Sequence, residues 1–177
     1  MSTTIESTTA IPTGTWQLDP VHSTVGFEIS YQTGTFRGTF REIDVQLVDG
    51  ALAGSAKVSS VDVKDENLNA HLQSPDFFDA ERAPELTFRS QELRRNGDEI
   101  EATGELTIKG ETKRVTIAGT INGPIEDAYG KQRLGLRLET SIDRTQYGVS
   151  WNMPLPSGDP ALGNDVNVVA DLQLVQA

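Results

Sequence analysis

The chain holds two histidines, His22 and His71, and no cysteine. A thiolate nucleophile, a disulfide framework and any Cys-containing metal site are thereby excluded, and two histidines are too few for a multi-His centre. A carboxylate-only site for a hard cation would show a spacing such as Asp-x-Asp-x-Asp-Gly, which does not occur. Neither a Gly-rich phosphate loop nor a Gly-x-Ser-x-Gly elbow is present. The side chains left for chemistry are His22, Asp76 and Arg144, the last preceded by Asp143. Brought to one place, an imidazole, a carboxylate and a guanidinium make an acid–base site with His22 as general base. The structural alternative has His22 and Ser23 bonding turn backbone after Asp19-Pro20, while Asp76 caps or pairs with Arg144. Arg144 also suits the head group of a ligand, because a guanidinium offers several directed donors. No activated nucleophile accompanies these groups, so no catalytic residue, metal or cofactor is expected.

The elements that must position these residues are strands. From Trp16 onward apolar and polar side chains alternate: Val25, Phe27, Ile29 and Tyr31 share one face, then Ile43, Val45 and Leu47, then Ala56 and Val58. Leu86 and Phe88 follow, then Ile100, Ala102, Gly104, Leu106 and Ile108, then Val115, Ile117 and Ile121. Leu134, Leu136, Leu138 and Ile142 precede a closing run of Val166, Val168, Ala170, Leu172 and Leu174. One apolar face opposite a wet one is the pattern of half-buried antiparallel strands. Eight or more of them, joined by turns such as Asp49-Gly50 and Asn96-Gly97-Asp98, make a barrel or a sandwich. The period breaks at residues 65–74, where Leu68 and Leu72 at i and i+4 predict one short helix stopped by Pro75. Residues 123–132 and 151–164 read as long loops, and the second carries Trp151, Met153, Leu155 and Leu162, enough apolar surface to cover a barrel mouth.

Composition bounds the partners. Fifteen Lys+Arg against 26 Asp+Glu give a formal charge of −11, which repels phosphate backbones and anionic leaflets, so nucleic acid is not an expected partner. No run approaches the ~18 apolar residues of a membrane span, so an integral membrane protein is not expected either. Residues 1–14, rich in Ser and Thr, read as a disordered tail before a single domain over 15–177. The tail lacks a basic n-region and an apolar h-region, from which a cytoplasmic location is expected.

Barrel and sandwich both bury one face of each strand, but an eight-stranded barrel is wide enough to hold one small ligand. The inward positions are mostly aliphatic or small, with Phe27 and Phe88 as the clear bulky fillers, which tilts the reading towards a hollow barrel. Its lining is expected to comprise Phe27, Ile29, Val45, Val58, Phe88, Leu106, Ile108, Val115, Ile117, Leu136, Leu138 and Ile142. The pair Phe77-Phe78 reads either as a plug at one barrel end or, with one ring such as Phe78, as part of a channel entrance. A filled barrel acting as an interaction module through its acidic face stays open as an alternative, as does an enzyme acting on a lipid or small acid.

Four blocks in order carry a family resemblance. They are Trp16-x-Leu18-Asp19-Pro20-x-His22-Ser23-x-Val25-x-Phe27, then His71-Leu72-x-Ser74-x-Asp76-Phe77-Phe78-Asp79 with Pro84-Glu85-Leu86-Thr87-Phe88-x-Ser90. The third is Gly104-x-Leu106-Thr107-Ile108-Lys109-Gly110-x-Thr112-Lys113, and the fourth is Ile142-Asp143-Arg144-x-x-Tyr147-Gly148 with the strand after it. Together they resemble the YceI-like family of polyisoprenoid-binding, lipocalin-like proteins, from about Trp16 to the C-terminus. The resemblance implies an antiparallel eight-stranded barrel whose apolar pore takes up a long isoprenoid of the polyprenyl or quinone type, bound and carried without catalysis. It allows a homodimer. Many members have a secretory signal and work in a periplasm, whereas this leader is short and polar.

Overall fold

The computed structural model describes residues 10–177. The first strands are β1 (Thr15–Leu18), β2 (Thr24–Tyr31), β3 (Gly34–Phe40), β4 (Ile43–Val48), β5 (Ala51–Lys57) and β6 (Val61–Asp62), of which β3 and β6 lie outside the alternating segments read from the sequence. After helix α1 (Glu66–Gln73) come β7 (Glu85–Asn96), β8 (Glu99–Ile108), β9 (Glu111–Glu126), β10 (Gln132–Asp143) and β11 (Leu162–Gln176). Every pairing is antiparallel, and β1 bonds both β4 and β11, so eight strands close a ring in the order β1-β4-β5-β7-β8-β9-β10-β11. A sandwich is ruled out by that closure. Closure also leaves the ring without an unpaired edge.

The remaining strands are continuations of ring strands past a break. β11 holds β1 at its C-terminal end (Trp16 opposite Gln176) and β2 along the rest (Thr24 opposite Asp171), so β1 and β2 form one interrupted strand. The break is at Pro20, which has no N–H to give the ladder, and Asp19 turns the chain by accepting the Val21 N–H at 3.1 Å. β3 and β4 break in the same way at residues 41–42, and β5 and β6 at a 3-10 turn, Val58–Ser60. Because β6 leaves to pair with β3 (Val61 opposite Phe40) while β7 begins at Glu85 opposite Lys57, the sheet parts at this end. Helix α1 and residues 74–84 cover the gap. The helix starts at Asp65, whose carboxylate accepts the Leu68 N–H at 3.0 Å, and it stops before Pro75.

The two ends of the barrel differ. At the base, Trp16, Leu47, Leu52, Ile100, Ile121, Leu134, Leu136 and Leu174 are buried against one another as a solid core. Toward the α1 end the inward residues surround a hollow. The interior is therefore half filled, because the base layers bring Leu, Ile and Trp from seven ring strands to one level.

Three sequence expectations change. The loop read as 151–164 ends at 161, because Leu162 already pairs with Tyr31 as the first residue of β11. Residues 123–132 are not a long loop: β9 runs to Glu126 and β10 starts at Gln132, joined by a tight turn in which Asp127 accepts the Tyr129 and Lys131 N–H groups. Pro124 is tolerated because the pairing with β10 shifts register between Arg133 and Gly135, where no donor is required of it. Of the expected tail, residues 1–9 lie outside the described residues. Residues 10–14 lie on the base, where Ile11 packs on the core, the Ala10 carbonyl accepts from Arg95 and the Thr13 carbonyl from the Trp16 indole.

Candidate functional site

The upper half of the barrel encloses a cavity of about 510 Å³, within the range of small-molecule sites. All six phenylalanines of the chain line it, Phe27, Phe36, Phe40, Phe77, Phe78 and Phe88, with Tyr31, Tyr147 and Trp151. Aliphatic walls come from β5, β7, β8, β10 and β11. Phe27, Phe36, Phe40 and Phe78 form one edge-packed cluster with centroids 5.7–6.4 Å apart. Its tightest point is Gly38, where a Cβ would stand 2.5 Å from the Phe27 ring, so only glycine lets that ring lie across β3. Three lining residues from separate elements are exposed and form an apolar rim: Tyr31 at the end of β2, Leu68 on α1 and Met153 in the 151–161 loop.

Few polar groups reach this space. His71 on α1 stands edge-on to Phe77 and Trp151, with centroids 4.9 and 4.8 Å away, and its Nε2 is 3.0 Å from the Asp76 carboxylate. Arg144 and Tyr147 occupy a 3-10 turn, Arg144–Tyr147, that opens with Asp143 accepting from the Thr145 hydroxyl and N–H. Those two bonds hold the Asp143 carboxyl below its ordinary pKa. Arg144 is 4% exposed and Tyr147 2%. The guanidinium donates to three carbonyls: Nε to Gly163 at 2.9 Å, and Nη1 to Val149 at 2.7 Å and Trp151 at 3.0 Å. It thereby ties the start of the 151–161 loop to β11. Burial lowers the pKa of Arg144, opposed by the charge of Asp143, and burial raises that of Tyr147. Among the described residues no group of three His, Asp or Glu side chains gathers to hold a metal, and no helix is long and apolar enough to cross a membrane.

The YceI-like domain matches residues 16–174. The chain belongs to the YceI-like family. A UPF0312 protein of Staphylococcus epidermidis is 34% identical over 168 residues, covering 89% of this chain and 95% of that one. Among solved structures, Burkholderia cenocepacia BcnA superposes with a TM-score of 0.75 at 22% identity, over 88% of this chain and 98% of its own. A domain from Saccharophagus degradans, described as a polyisoprenoid binding domain implicated in plant cell wall breakdown, superposes with a TM-score of 0.70 at 12% identity, over 92% and 98%. These two likenesses establish a shared fold.

Within this YceI-like barrel the sequence-derived residues separate into groups. Phe27, Ile29, Val45, Phe78, Phe88, Leu106, Ile108, Ile117, Leu138, Ile142 and Arg144 all line the cavity. Leu136 does not; it lies in the solid base, 2% exposed. Val58 is fully buried but sits in the 3-10 turn where β5 breaks, off the strand's inward face. Val115 packs beside the upper cluster without reaching the hollow. The His22, Asp76 and Arg144 constellation does not assemble. His22 is 2.7 Å from Asp19, which also pairs with Arg133 at 2.9 Å, beside the base. Arg133 and Arg144 mark opposite ends of β10, roughly 35 Å of strand apart. Asp76 pairs with His71, not Arg144, since five residues across the end of α1 bring the two together. Sequence reading missed Phe36, Phe40, Leu72 and Tyr147, whereas Phe77, read as a plug or an entrance, and Trp151, read as part of a mouth cover, do line the cavity. For Phe36 and Phe40 the signal was present: positions i and i+4 of one strand face the same way, with Gly38 between them.

Proposed function

We propose that this YceI-like domain binds a long apolar chain of isoprenoid type in the hollow half of its barrel and carries it without chemical change. The observation that supports this best is the concentration of all six phenylalanines on one rimmed cavity of about 510 Å³. Each methylene moved from water into such a lining contributes about 0.8 kcal/mol, so a chain of many carbons binds without an ion pair, less the cost of ordering it. The structural neighbour described as a polyisoprenoid binding domain supports the isoprenoid class. The acid–base reading built on His22 finds no support, because His22 pairs with Asp19 at the far end of the barrel from the cavity.

The test is native mass spectrometry of protein purified without detergent, with solvent extraction of whatever comes off. A near-stoichiometric prenyl adduct is expected. In Val168→Trp, which projects an indole into the hollow from β11, that adduct should be lost while the fold persists, because the new ring enters existing space. A wild-type mass free of adduct, and unchanged after incubation with a prenyl quinone, would overturn the proposal.

A further inference from the structure

A guanidinium has five N–H donors. In Arg144 three are used on the carbonyls of Gly163, Val149 and Trp151, and the two on Nη2 have no partner among the described residues. The Tyr147 hydroxyl, also buried, has none either. Residues three apart in a 3-10 turn lie on the same side of it, and both residues line the cavity. The partners Arg144 does have are neutral oxygens, so its charge is solvated but not neutralised by them. A buried donor left without a partner bears its full desolvation cost, and a charged one bears more. One corner of a largely apolar cavity thus holds a buried guanidinium, with the Asp143 carboxylate as a nearby charge, and three donors without a partner among the described residues.

We infer that Arg144 and Tyr147 form a head-group site for a lipid bearing a monoanionic carboxylate. The inference rests on the carrier reading above and specifies the end of the lipid that the apolar walls do not select. With Nε and Nη1 already engaged, the two-nitrogen fork that Arg commonly presents to a carboxylate is closed. What remains is an end-on contact through Nη2, with the tyrosine hydroxyl free to donate to the second oxygen. Charge decides between heads: one cation balances one carboxylate. A diphosphate would bring excess negative charge into a protein already at −11. A neutral head would leave the cation as it stands.

The test is displacement of N-phenyl-1-naphthylamine, a neutral fluorescent probe, by farnesoic acid, methyl farnesoate, farnesol and farnesyl diphosphate at mildly alkaline pH. In wild type the acid should compete about tenfold better than the ester or the alcohol. Tyr147→Phe removes a hydroxyl with no partner among the described residues, so its melting temperature should hold or rise while the acid's advantage shrinks several-fold. Arg144→Met should abolish the advantage. Where loss of three carbonyl contacts prevents that variant from folding, Tyr147→Phe decides. Equal competition by acid, ester and alcohol would overturn the head-group site and leave the carrier reading standing; the unmet donors would then serve buried water. Tighter binding of the diphosphate would overturn the carboxylate. A protein that takes up neither the probe nor any of the four chains would overturn the carrier reading, and this inference with it.

Discussion

Asp19 shows how one side chain can serve stability without touching the cavity. Its carboxylate accepts the Val21 N–H, pairs with His22 and binds Arg133, which in turn binds Asp127 and Gln173. The hydrogen bond with His22 is the largest cause, with burial opposing and Arg133 assisting, and the pKa falls from 3.8 to about 2. A carboxyl whose folded pKa is depressed stabilises the fold above its unfolded value and loses that contribution as pH falls toward the folded one. With screening by solvent the contribution is about 1–2 kcal/mol. Asp19→Asn should therefore lower the melting temperature at neutral pH, and its deficit against wild type should close as pH drops from about 4 to 2. Thermal melts of the two proteins across that window check it. The Asp-Pro-x-His-Ser block was visible as a turn in the sequence. Its partner Arg133 was not, because more than a hundred residues separate them and only the closure of β1 onto β11 brings them together.

At the scale of elements, α1 is the weak point of the wall. It fills the place where β6 and β7 part and has no ladder to hold it, so its stability comes from its cap, Leu72 and the His71 contacts with Phe77 and Trp151. Segments with few such supports open at free energies below global unfolding. Hydrogen exchange should find residues 66–73 exchanging well before β8, β9 and β10. Asp65→Ala, which removes the acceptor of the Leu68 N–H, should cost about 1 kcal/mol and speed exchange in α1 selectively. Equal protection of α1 and β9 would contradict a mobile mouth at this position. The helix was legible from the Leu68 and Leu72 spacing and Pro75, since helical period is local. Its role as cover for a split sheet was not, because the split depends on which strand β6 chooses to pair with.

At the scale of the whole molecule, one barrel contains two interiors, and truncation should tell them apart. Leu136→Ala opens a void in the packed base and should cost about 2–5 kcal/mol. Leu106→Ala only enlarges a hollow that already exists and should cost less, about 1–2 kcal/mol. Urea midpoints of both variants measure the difference, and equal costs would argue against an open upper half. Alternation along the chain was enough for most of the strands, though not β3 or β6, and for the antiparallel class, the short helix and the apolar inward faces, because a period of two and a period near four are written in neighbouring residues. Ordered motif blocks added the family. That β1 closes the ring, that the base is filled while the α1 end is hollow, and that His22 and Arg144 lie at opposite ends emerged only from the folded arrangement. Those outcomes depend on strand register and on which layers meet at one level of the barrel, and alternation is the same whether an inward side chain meets another side chain or empty space.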